Sequence, residues 1–133
     1  MPDHLANWAK NTKPVKKART SGKILERDIQ RAIVRAFLVK YRIVLFHADS
    51  GGAGMRSGLS EGVRAYTSLP AGFPDLLGVI PGGRALFVEV KRPGNKPTDL
   101  QTRFLESFRL KGAVAFWADS VESALQQFEE QHG

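Results

Sequence analysis

Apolar positions along the chain change their spacing several times, and each change marks an element. Between Lys23 and about Lys40 they fall at Leu25, Ile29, Ile33 and Phe37, with Ala32 and Ala36 beside them. Steps of four residues put these side chains on one helical face, and Ser21 stands where a cap belongs. Tyr41–Ala48 (YRIVLFHA) is β-branched and aromatic and reads as a strand. Asp49–Gly62 has five glycines and few apolar residues, the composition of a flexible loop. VRAYTSL, residues 63–69, is a candidate short strand. Asp75–Ile80 and Arg84–Lys91 then flank Pro81-Gly82-Gly83 as a hairpin. Helical spacing returns over Thr98–Lys111, with Leu100, Phe104, Leu105 and Phe108 on one side and Gly112 as the stop. Ala113–Ala118 is a compact apolar strand. Asp119 or Ser120 caps a last helix to about Gln131, with Val121, Leu125 and Phe128 inward. The order α-β-β-β-α-β-α predicts an α/β fold with a mixed central sheet flanked by helices.

The hairpin carries Asp75, Glu89 and Lys91 among Leu, Val and Ile. A three-residue turn at Pro81–Gly83, with a glycine in the left-handed region, pairs Ile80 with Arg84. The same register sets Asp75 directly opposite Glu89 on one face, about 5 Å apart at Cβ. Glu89 and Lys91, two residues apart, share that face at ~6.6 Å spacing, while Leu86, Val88 and Val90 take the other. Like charges opposite each other are unfavourable, and a half-buried carboxylate pair titrates upward or takes up a cation. All-oxygen ligands suit Mg²⁺ or Mn²⁺, and a lysine alongside can orient an attacking water, a layout for metal-assisted phosphodiester hydrolysis. An exposed strand face on which Lys91 simply pairs Glu89 is the competing reading.

Composition and charge narrow the field. The 133 residues fit one domain. There is no cysteine, so a disulfide scaffold and a thiolate metal site are excluded. No apolar run approaches the ~18 residues of a membrane helix, and the N-terminus lacks a hydrophobic signal stretch, so a cytoplasmic protein is expected. The net charge is +7, and residues 1–20 hold five Lys or Arg against a single Asp, so a basic flexible arm precedes a domain at 21–133. That balance suggests a polyanionic partner, although a solubilising tail has the same composition. With no Lys between Lys40 and Lys91, the glycine-rich loop is no P-loop and no nucleotide cofactor is expected. His4, His47 and His132 lack the spacing of a zinc site.

Pro74-Asp75, thirteen intervening residues and Glu89-Val90-Lys91 together match the signature of the PD-(D/E)XK nucleases. With Gly-Phe-Pro leading into Asp75, a Gln-x-x-Phe helix after the lysine, then a glycine and an apolar strand, residues 23–128 resemble the virus-type replication-repair nuclease (VRR-NUC) domain. The resemblance implies a restriction-endonuclease-like core. In it Asp75, Glu89 and the Val90 carbonyl bind the metal, Lys91 positions the water, and Glu26 on the first helix and Gln101 complete the catalytic set, with Glu26 also a metal ligand. Glu26 has an ordinary alternative as a surface contact to Gln30 or Arg27, and Gln101 as half of a capping box with Thr98. The implied activity is a Mg²⁺- or Mn²⁺-dependent DNA endonuclease selective for branched, Holliday-junction-like DNA. A homodimer in a bacterial or phage-infected cytoplasm is implied too.

Candidate phosphate contacts are Ser50, Arg56, Arg92, Lys96, Lys16 and Lys17, with Lys13 beside the last two, and each has the alternative of a solvated surface residue. His47 is a candidate substrate contact with the alternative of an ordinary strand-end histidine, Trp8 is a candidate for stacking, and Trp117 reads as core or dimer face. Three other readings stay open: a less selective nuclease, a non-catalytic nucleic-acid-binding module with the same fold, and an oligomeric structural protein.

Overall fold

The computed structural model describes residues 24–48 and 69–132. The expected basic arm, Ser21, the glycine-rich loop, residues 63–68 of the candidate strand, and with them Trp8, Lys13, Lys16, Lys17, Ser50 and Arg56, lie outside the described residues.

Helix α1 spans Glu26–Tyr41 and buries Ile29, Ile33, Val34, Phe37 and Leu38. It starts three residues later than the periodicity predicted. Leu25 is the cap residue, in an extended conformation and without a side-chain bond, so Ser21 is not the cap. Glu26 and Asp28 lie in the first turn, where carboxylates favour the unpaired amides of a helix start. The other end also corrects the expectation, because Tyr41 is the last helical residue and not the first of a strand. Arg42 turns the chain at φ 59, its N–H reaching the Leu38 carbonyl. Strand β1 is therefore only Leu45–His47.

The hairpin forms in the predicted register. Strand β2 (Leu76–Val79) pairs antiparallel with β3 (Ala85–Val90), Leu76 facing Val88 and Val79 facing Ala85. The turn closes with Ile80 N–H on the Arg84 carbonyl and Gly83 N–H on the Ile80 carbonyl, both at 2.8 Å. Gly82 and Gly83 both have φ 103, a region that strains residues with a side chain. Proline followed by glycine at the centre of Ile80–Gly83 is the order a type II turn requires.

Helix α2 (Asp99–Leu110) crosses over to strand β4 (Val114–Ala118), which runs parallel to β3, and helix α3 (Val121–His132) ends the described chain. The sheet order is β1-β2-β3-β4. Leu76, Leu86, Val88, Val90, Val114 and Phe116 form a core with α1 and α3. At its far end Tyr41 and Lys40 both hold Glu129 of α3, at 2.7 and 3.0 Å. The opposite face carries a smaller aromatic cluster, in which Phe87 stacks on Phe108 with Phe73 edge-on to Phe87, Phe104 and Phe108. Leu100, expected inward, is 47% exposed over Gly72. The mixed α/β architecture and the element order are as predicted.

Candidate active site

Asp75 stands at the entry to β2, placed by the segment before it. Phe73 N–H bonds the Pro70 carbonyl, Gly72 takes φ 86, and Phe73 anchors among the rings beneath α2. A Cβ on Gly72 would come within 2.7 Å of Leu100, so glycine is also needed for the fit under α2. Pro74 is buried, and Asp75 follows. The Asp75 carbonyl accepts from Ala48 N–H at 2.7 Å, and its Oδ2 accepts from Val90 N–H at 2.9 Å. Asp75 is thus tied to both neighbouring strands.

Glu89 is the only buried charged residue among the described ones, at 1% exposed. Its Oε1 accepts from Gln101 Nε2 at 3.0 Å and lies 3.5 Å from Lys91 Nζ. Its Oε2 is buried with no hydrogen-bond partner. Burial is the main cause that pushes the Glu89 carboxyl up to about 8; the charge of Asp75 adds to it and Lys91 opposes it. Glu26, on the first turn of α1, completes the group. Carboxylate oxygens of Glu26, Asp75 and Glu89 all lie within 4.8 Å of one another.

That cluster fits a hard divalent cation. Three oxygen donors converge, and the orphaned Oε2 is a strong acceptor cut off from water, an arrangement that is unfavourable without a cation or a proton. Gln101 takes part in the capping box and in a bond to Glu89 at once. Its Oε1 accepts from Thr98 N–H at 2.8 Å while Thr98 Oγ1 accepts from Gln101 N–H, and the amide nitrogen is left to donate to Glu89. The capping box therefore orients the carboxamide.

The structure brings Glu26, Asp75, Glu89, Lys91 and Gln101 together. Val90 is buried between Glu89 and Lys91, with its N–H on Asp75. Arg92 is half-buried and Lys96 exposed in the turn that follows Lys91. His47 is exposed at the end of β1, opposite Leu76. Trp117 departs from its reading as core. It lies in register with Glu89 on the adjacent strand, so it shares that face, and it is 36% exposed. The surrounding strand is core, but its one large residue on the α2 side sits at the sheet edge. Arg27, which the sequence offered only as a surface contact of Glu26, and Arg31 and Arg35, which it did not single out, are all exposed on α1.

Comparison with known proteins agrees with this geometry. The VRR-NUC domain model matches residues 24–122. A solved structure described as "VRR_NUC domain" is similar at 28% identity and TM-score 0.54, covering 78% of this chain and 94% of the other. A second, described as "VRR_NUC domain protein", shares the fold at 20% identity and TM-score 0.52, covering 82% and 91%. No curated protein matches the chain. A family match over most of the length, with the carboxylates and lysine in place, means that the chain belongs to the VRR-NUC family of PD-(D/E)XK-type nucleases.

Proposed function

We propose that the protein is a metal-dependent DNA endonuclease that hydrolyses phosphodiester bonds, with a preference for branched DNA. The observation that carries this reading is the convergence of Glu26, Asp75 and Glu89 around a buried, unpartnered Glu89 Oε2, with Lys91 alongside. Glu26, Asp75 and Glu89, joined by the Val90 carbonyl, would hold Mg²⁺ or Mn²⁺. When bound, such an ion stabilises the negative charge that builds on the phosphoryl oxygens during displacement.

The chain's own residues do the rest. Val90 N–H fixes one oxygen of Asp75 and so aims the other. Gln101 fixes Glu89 Oε1. Lys91 has a side chain only 14% exposed, which strengthens its charge interactions, and it orients the water that attacks phosphorus. The P–O bond to the departing sugar oxygen breaks as the new one forms; the attacking water gives up a proton to solvent, and the departing oxygen takes one from it. The branched-DNA preference, and a homodimer to cut two symmetric strands, rest on the family resemblance.

Cleavage of a four-way junction beside its linear duplex, with Mg²⁺ or Mn²⁺ and with EDTA, tests the reading. We expect metal-dependent cutting, faster on the junction, and at least 100-fold slower for Asp75→Ala, Glu89→Ala or Lys91→Ala, on the scale at which lost transition-state contacts act. Undiminished cutting by Glu89→Ala rules out the assigned site, and equal cutting of both substrates supports the less selective nuclease.

A further inference from the structure

A nucleic-acid backbone needs cations along its length, beyond Lys91 and any ion in the acidic cluster. Arg27, Arg31 and Arg35 are all exposed on α1. Residues four apart lie on neighbouring turns, so the three form one ridge with ~6 Å steps, spanning ~12 Å along the helix. The row begins one residue after Glu26, which belongs to the acidic cluster. Among the described residues, the ion pairs are Lys40 with Glu129 and Lys91 with Glu89, so no described carboxylate pairs with this ridge. Like charges four residues apart weaken a helix, and a polyanion lying along the row would relieve that repulsion.

Resting on the nuclease reading above, we propose that this ridge is a backbone track. One strand of the nucleic acid runs along α1 with its phosphates on Arg27, Arg31 and Arg35, and its reactive phosphate sits at Glu26, Asp75 and Glu89. A strand of duplex presents a phosphate every ~3.4 Å of axis, so ~12 Å takes in roughly three or four of them. Guanidinium groups grip phosphate oxygens through paired N–H donors and carry no sequence information. The track therefore positions any strand of the right shape.

The test is binding of a blunt duplex in EDTA, followed by fluorescence anisotropy at roughly 50 to 200 mM salt. Each phosphate neutralised adds about 0.9 to the slope of log affinity against log salt. The triple variant Arg27→Ala, Arg31→Ala, Arg35→Ala is expected to flatten that slope by about 2.7, and Arg31→Ala alone by about 0.9. The triple Arg→Lys variant should stay near wild type. Arg109→Ala with Lys111→Ala, which removes charge at the far end of α2, should change the slope by less than about one. The track is overturned if the alanine variants keep the wild-type slope, or if the α2 pair lowers it as much per charge. Binding is read without cation, so this result is separate from whether wild-type protein cuts DNA with Mg²⁺ or Mn²⁺.

Discussion

At Glu89 a carboxyl group sits 1% exposed beside Asp75, with one oxygen unpartnered. Its folded-state value of about 8 lies above the ordinary 4.5, chiefly through burial, so the folded protein keeps a proton that the unfolded chain has released. Stability of the metal-free protein should therefore fall as pH rises from about 4.5 to about 8 and level off beyond. The loss is on the order of a few kcal/mol at most. Thermal unfolding in EDTA checks this: Tm drops across that window in wild type, and the drop shrinks in Glu89→Gln, which has no proton to lose. Mg²⁺ or Mn²⁺ competes with the same proton, so it should raise Tm more at pH 8 than at pH 6 in wild type and little in the variant. The alternation of charge in an apolar strand made Asp75, Glu89 and Lys91 legible in the sequence. What the sequence did not show is how completely Glu89 is enclosed, because that depends on α2 lying over the strand with Gln101 above the carboxylate.

The hairpin shows the same logic one level up. Its register is set by Pro81-Gly82-Gly83, where two glycines adopt φ 103. A local turn rule fixed it, so the pairing of Leu76 with Val88 was readable from spacing alone. Deleting Gly83 should move the pairing by one residue and turn Asp75 away from Glu89. We expect metal-dependent cleavage to fall below detection while the circular dichroism spectrum still shows helix and sheet; retention of wild-type activity by the deletion would mean that the turn does not set the site. Elements whose bounds depend on tertiary closure were less legible. Arg42 in the left-handed region carries α1 one residue into what reads as a strand, and Leu25 caps the helix without a polar side chain. Val34 and Leu38 are buried although they fall off the stripe of Leu25, Ile29, Ile33 and Phe37, because α1 is packed over a broader arc than one ridge.

Across the whole molecule the site is assembled from both sides of the sheet. Glu26 arrives with α1, which packs on the core face of Leu86, Val88 and Val90, and Gln101 arrives with α2, which packs on Phe87. The family resemblance pointed to these two residues; the hairpin register alone did not, because neither position follows from strand spacing. The row Arg27, Arg31 and Arg35 was not singled out in the sequence because charges spaced four apart on a helix read as an ordinary solvated face. Gln101 spends one end of its carboxamide on closing the first turn of α2 and the other on Glu89. Loading the acidic cluster should then be felt on both sides of the sheet at once: hydrogen exchange of backbone amides in the opening turns of α1 and α2, residues 26–29 and 99–102, should slow together when Mg²⁺ or Mn²⁺ is added, while those of α3 stay unchanged. The cation would act as a rivet through the sheet, and slowing confined to a single helix would show that the two halves are not joined there.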